Sequence, residues 1–265
     1  EMGSRASYSL DGQQDTRGGT RRPGNMFITT PGLANSILAL SGKKLAALQE
    51  QINSSGKPAS FELPGITAKI NLARVRKPVA TANIVGVVEG SDPVLKNECI
   101  VYMAHYDHLG VDPQGDVYNG ADDNASGTAG LLEIAEAFQN LKKKPLRSVV
   151  FAWVNAEEKG LLGSGYYADH PVIPMNRTIL NINLDMIGRS ITPADTGEFF
   201  GTSHNVTRTG EIQLYSDNLN EEFRKLVLRS AGETGVSVID MGRNLEFGSS
   251  DHASLSAKGV PWLFF

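Results

Sequence analysis

Apolar residues along the chain change their spacing from one stretch to the next, and each spacing predicts an element. Ser148–Val154 is apolar at every position after its serine, the mark of a strand buried on both faces. Ile100–Val101–Tyr102–Met103 and Ile179–Leu184 read as further strand cores, followed by Ile212–Tyr215 and the closing run 260–265. Between the first two strands, Leu131, Ile134, Ala135, Phe138 and Leu141 fall on one stripe at helical spacing. A short helix is expected near 161–169 and a longer one over about 219–232, with Asn218 and Glu221 placed as its capping pair. Strands alternating with helices predict an α/β three-layer sandwich around a mostly parallel central sheet.

Ahead of this region the pattern is weaker. Residues 34–53 carry Leu38, Leu40, Leu45 and Leu48 and predict a short helical pair broken near Gly42. From 59 to 88 the spacing turns to alternation, with Ile70, Leu72 and Val75 among Lys69, Asn71, Arg74 and Arg76, which favours half-buried strands. Residues 1–25 are polar and rich in Gly and Arg, and read as irregular. These shifts divide the chain into a polar segment at 1–57 and a domain at 58–265. The chain stops inside the apolar run Val260–Phe265, so the domain is expected to be truncated at its C-terminus.

Composition narrows the function classes. Of 265 residues 40% are hydrophobic and 20% charged, enough for a sizeable core. A formal charge of −4 gives no electrostatic reason to expect nucleic acid or an anionic membrane as partner. No apolar run reaches the roughly 18 residues of a membrane-spanning segment. Cys99 is the only cysteine, so neither an internal disulfide nor a thiolate zinc site can form, and its apolar neighbours predict a buried thiol.

The candidate chemistry lies where apolar runs end. His105–Tyr106–Asp107–His108 follows the first strand, Asp122–Asp123–Asn124 precedes the striped helix, and Glu157–Glu158 follows the Trp153 strand. Asp185 ends the Leu184 strand, and Ser250–Asp251–His252 precedes the last one. Singly, each has an ordinary explanation: a solvated acidic pair, a surface histidine, a polar turn. Together they fall at the carboxyl ends of strands, where open α/β sheets bind ligands. Histidine and carboxylate without cysteine suit a catalytic zinc or a similar divalent ion. The charges of Asp122, Glu158 and Asp185, with a hydroxide, balance two Zn2+ ions, which leaves Glu157 free as general base.

The segments AHYDHLG (104–110), NGADDNASG (119–127), NAEEKGLLGS (155–164), NLDMIG (183–188) and SSDHAS (249–254) resemble, in the same order, those of metallopeptidase family 28. That family includes secreted leucyl aminopeptidases, glutamate carboxypeptidase and the transferrin-receptor ectodomain. The resemblance covers about 80–265 and implies the phosphorylase/hydrolase-like zinc exopeptidase fold, peptide substrates and a secreted or periplasmic location. It also implies roles. His105, Asp122 and Asp185 would hold one zinc; Asp122, as bridge, with Glu158 and His252 would hold the other. Glu157 would be the acid/base acting on a water between the ions, and Asp107 would orient His105 from behind. A cis peptide at Asp122–Asp123 is implied too. Family members continue beyond Phe265 with a His- and Pro-containing loop and a closing helix. Residues 27–53 resemble the last part of a protease-associated domain.

The remaining histidines, His108, His170 and His204, read as loop or surface residues, and Asn176 and Asn205 open glycosylation sequons that are common by chance. Within the same fold, a carboxypeptidase would need a cation for the substrate carboxylate, for which Arg189 and Arg243 are candidates. A glutaminyl-cyclase-like enzyme would work with one zinc, and a non-catalytic binding ectodomain would have lost ligands. The full ligand set favours a dizinc exopeptidase over these last two, and the resemblance implies that it removes N-terminal residues.

Overall fold

The apolar runs lie side by side in one sheet. The computed structural model describes residues 10, 29–67, 69, 77–189, 198–199, 202–203, 212–217, 221–241 and 250–265. Its main sheet comprises β1 (Ile84–Val88), β2 (Cys99–His105), β3 (Ser148–Val154), β4 (Thr178–Asn183), β5 (Ile212–Ser216), β6 (Val238–Asp240) and β7 (Trp262–Phe264). The strand order is β1-β3-β2-β4-β7-β5-β6. The four central strands β3, β2, β4 and β7 run parallel, β1 is antiparallel to β3, and β5 is antiparallel to β7. The expected α/β sandwich with a mostly parallel sheet is therefore the fold. The short strand β6, beside β5, carries too few residues for its period to stand out in the sequence.

Alternation along β2 sorts its side chains between two layers. Cys99, Val101 and Met103 pack on one face with Val150, Ala152, Tyr167, Ala168 and Leu255, under helices α4 (Leu162–Asp169) and α6 (His252–Ser256). Tyr102 and Ala104 face the other way, with Phe151, Trp153, Leu131 and Phe138, under α3 (Gly127–Gln139). Helix α5 (Glu221–Thr234) covers Leu180, Leu214 and Leu263 with Phe223 and Val227. Every residue of β3 is buried, as its unbroken apolar run requires.

Contacts divide the chain between Val79 and Ala80 into two units, whereas composition puts the boundary at 57/58. The sheet belongs to the second unit. The first contains α1 (Pro31–Ala39) and α2 (Leu45–Ser55), with Gly42 at φ +69° in the turn where the helical break is expected. Proline opens α1 and Thr30 Oγ1 accepts the Leu33 N–H as its cap. Of the half-buried strands expected over 59–88, β1 forms and 59–67 form none, while Ile70–Arg76 and the cap at Asn218 lie outside the described residues. No helix among the described residues is long and apolar enough to cross a membrane.

Leu131 and Leu132 test the layer assignment on one helix. Leu131 is 0% exposed and Leu132 is 55% exposed. Leu131→Ala should cost about 2–5 kcal/mol in denaturant unfolding, and Leu132→Ala less than about 0.5 kcal/mol. Equal costs would contradict the packing of α3.

Candidate metal centre

Parallel register delivers the chemistry to one edge. Met103 of β2 stands beside Ala152 of β3 and Asn183 of β4, and His105 stands beside Val154. The three chains leaving these strands carry Asp107, Glu157–Glu158 and Asp185 from the same edge. The loop after β2 is fixed by Thr128, whose hydroxyl donates to the His105 carbonyl at 2.8 Å, while Trp153 Nε1 donates to the Thr128 carbonyl at 3.1 Å.

The His105 imidazole is buried between two sets of oxygens. Its Nδ1 lies 3.1 Å from the Asp107 carbonyl and 3.6 Å from Asp107 Oδ1. Its Nε2 lies 3.3 Å from Asp123 Oδ1 and 3.4 Å from Asp185 Oδ1. On the other side of Asp123, His108 Nδ1 is 3.9 Å from Asp123 Oδ2 and 2.8 Å from Glu158 Oε1. Two groups able to hold a metal therefore share Asp123: His105–Asp123–Asp185 and His108–Asp123–Glu158.

Asp107 does more than face His105. Its carboxylate accepts the backbone N–H of Glu157 at 3.0 Å and of Glu158 at 3.3 Å, tying the turn after β3 to the loop after β2. Asp185 Oδ2 accepts from Ser250 Oγ at 2.7 Å, and Ser250 in turn accepts from Asn183 Nδ2 at 2.8 Å.

Three buried polar atoms of the ligand groups, Asp185 Oδ1, Glu158 Oε1 and His108 Nδ1, have no hydrogen-bond partner among the described residues. The last two are only 2.8 Å apart, but not at the angle a hydrogen bond requires. Orphaned acceptors are costly in a protein interior, and a cation coordinated by them removes that cost. Carboxylate oxygens and imidazole nitrogens without thiolate suit zinc, so these residues fit the ion expected from the sequence.

Asp122 and Asp123 take different places in the structure. Asp122, expected as the bridge, directs Oδ1 to the Gly188 N–H at 3.0 Å. Asp123 leaves helical dihedrals (φ −102°, ψ 96°), so the two neighbouring side chains diverge and Asp123 alone faces both histidines. The cis peptide likewise lies one residue on, at Asp123–Asn124. Buried Asn124 anchors this turn: its Nδ2 donates to the Leu184 carbonyl at 2.9 Å, and its Oδ1 accepts from Gly127 N at 2.9 Å and Met186 N at 3.3 Å. A side chain at Gly127 would meet the Leu184 carbonyl at 2.4 Å, which explains the glycine there.

His252, expected beside Glu158, belongs to neither group. Opening α6, its ring packs 4.3 Å from Trp262 and 5.1 Å from Phe264 on the face of β7. His108 takes the place beside Glu158; its only signal in the sequence was its position three residues after His105. Buried Asp251 stands within electrostatic reach of His105, Glu157 and Asp185, and its place in the Ser250–Asp251–His252 motif is its only signal in the sequence. His170 lies apart, its ring stacked on Tyr166 at 4.3 Å. His204, Asn205 and Arg243 lie outside the described residues.

Residues 83–265 match the model of peptidase family M28. The chain belongs to this family. Leucine aminopeptidase 2 of Arthroderma otae is 31% identical over 192 residues, which is 70% of this chain and 34% of that protein. An aminopeptidase of Bacillus subtilis is 34% identical over 152 residues, 52% of this chain and 31% of that one. The crystal structure of an aminopeptidase from Legionella pneumophila superposes with a TM-score of 0.51 at 25% identity, covering 69% of this chain and 43% of the other. The chain spans about a third of the length of the curated relatives it matches.

In this M28 chain, protons compete with any cation for the centre. Burial alone lowers the His105 pKa, but hydrogen bonds to Asp107 and Asp185, with the charges of Asp185 and Asp251, outweigh it and raise it to about 11. Burial, then the charge of Asp251, raises Glu157 to about 8. Burial raises Asp251 to about 7. Asp107 moves the other way: although burial opposes it, hydrogen bonds from His105 and the Glu157 N–H hold its pKa low.

The sign of the pH dependence follows. A raised folded-state pKa gives stability that is present below the unfolded value and lost as pH rises through the folded one. For the metal-free protein this loss runs from pH 3.8 to about 7 for Asp251, from 4.5 to about 8 for Glu157 and from 6.5 to about 11 for His105. A cation takes the place of these protons. The difference in melting temperature between zinc-loaded and chelator-treated protein should therefore widen between about pH 5.5 and 8, read by differential scanning fluorimetry. A constant or narrowing gap would contradict the protonated, metal-free centre.

Proposed function

We propose that this chain is the core of a dizinc aminopeptidase, removing N-terminal residues from peptides. The observation that carries the reading is the pair of ligand groups sharing Asp123, with Glu157 beside both and a member of neither. The aminopeptidase names of its relatives support the same reaction. In this reading His105, Asp123 and Asp185 hold one zinc, and His108, Asp123 and Glu158 hold the other.

A zinc pair held by these residues would polarise the scissile carbonyl and acidify the attacking water. Glu157 accepts the proton of that water and passes it to the leaving amine. Burial raises its pKa to about 8 in the metal-free protein, and the positive charge of bound cations would draw it back toward the ionised form that accepts a proton. Asp107 keeps Glu157 in place by accepting its backbone N–H, and the Asp107 main-chain carbonyl, 3.1 Å from His105 Nδ1, holds the ring so that Nε2 faces Asp123 and Asp185.

Adjacent glutamates with different roles give a sharp test. On a panel of aminoacyl-anilides, Glu157→Gln should lower turnover by ~10² to 10⁴-fold while zinc content stays at wild type. Glu158→Gln should weaken one zinc site and regain part of its activity in excess zinc. His108→Ala should likewise lose zinc, and His252→Ala should keep both ions. Zinc loss with Glu157→Gln but not with Glu158→Gln would reverse the roles. Hydrolysis of N-blocked dipeptides in place of free N-termini would exclude an aminopeptidase.

A further inference from the structure

Ala82 and Asn83 lead into the edge strand β1 and contact two of the segments that bear ligand residues, the loop after β2 and the turn after β3. Tyr106, between His105 and Asp107, donates its hydroxyl to the Ala82 carbonyl. Asn83 Oδ1 accepts the Asn155 N–H at 3.1 Å, and Asn83 Nδ2 donates to the Gly163 carbonyl at 2.8 Å. Asn155 and Gly163 are the two ends of the turn that holds Glu157 and Glu158, so one amide closes it.

That turn needs closing from outside. Ala156 (φ +58°) and Leu161 (φ +60°) both sit in the left-handed region, which side-chain-bearing residues avoid. Internal bonds from the Gly160 and Leu161 N–H to the Glu157 carbonyl and from the Leu162 N–H to the Ala156 carbonyl hold its middle. The closure is tight as well: a Cβ on Gly163 would come 2.2 Å from the Asn155 carbonyl and 2.6 Å from Asn83 Oδ1. An amide presents its donor and its acceptor on two separate atoms of one short side chain. An aspartate would keep the bond from Asn155 and set an oxygen against the Gly163 carbonyl.

We infer that Asn83 is a positioning residue, which aims Glu157 and Glu158 by closing the Asn155–Gly163 turn. The inference rests on the roles proposed for the two glutamates. Backbone strain in the turn is held by the clamp, and loosening it lets the glutamates swing from the centre.

Three readouts on the 265-residue chain test it. In metal-free protein, Asn83→Ala should speed hydrogen exchange across 155–163 by about tenfold or more while β2 and β4 stay protected. Zinc affinity at the weaker site should fall about 10- to 100-fold. At saturating zinc, kcat on a leucyl-anilide should fall by about 10- to 100-fold, with KM changed far less. Asn83→Asp and Gly163→Ala, which disturb the same closure from either side, should reproduce the pattern. The Asn83→Ala/Gly163→Ala double variant should be no worse than the worse single one. Unchanged exchange would overturn the clamp. Faster exchange with unchanged zinc affinity and unchanged kcat per zinc-loaded molecule would reduce Asn83 to a structural part. A wild-type chain without peptidase activity would overturn the aminopeptidase reading instead, while exchange and zinc titration still decide the clamp.

Discussion

Carboxylates repel one another when desolvated, and here Asp107, Asp123, Glu157, Glu158, Asp185 and Asp251 gather at one edge of a buried sheet. Much of the local structure answers that repulsion. Asp107 spends its charge on two backbone N–H groups and on His105, and Asp185 takes a hydroxyl from Ser250. In the metal-free protein, protons on His105, Glu157 and Asp251 offset part of the rest. The demand that persists, at Asp185 Oδ1 and Glu158 Oε1, is the demand a divalent cation meets.

Gathering these groups takes more than a parallel sheet. The sheet brings three strand ends together, but the reactive side chains sit on turns beyond them, and each turn is pinned by a neighbour. Asn124 ties the Asp123 turn to the loop after β4. Asp107 ties the loop after β2 to the turn after β3. Asn83 closes that second turn from the edge strand. Left-handed residues next to Glu157 and Asp185, at Ala156 and Met186, show where the backbone is bent away from its preferred dihedrals to make the geometry.

The family match and the site agree on position. The matched residues, 83–265, contain every member of both ligand groups and begin at Asn83, the residue that clamps the glutamate turn.

What the sequence determined by itself was the frame. Long apolar runs such as Ser148–Val154 have one stable fate, burial on both faces, and the stripe from Leu131 to Phe138 needs a sheet to cover. From those elements the carboxyl edge, and the motifs gathered there, could be read directly. Tertiary structure decided which neighbour points inward. Asp122 and Asp123 are the same residue type one position apart, and only the departure from helical dihedrals at Asp123, with Gly188 claiming Asp122, separates them. The motif resemblance points to His252 and reads His108 as a loop residue, whereas in the fold His252 stacks on Trp262 and His108 approaches Glu158. Periodicity speaks for averages over a whole element, whereas a ligand is set by the bend of a single turn, which depends on contacts with residues distant in the chain.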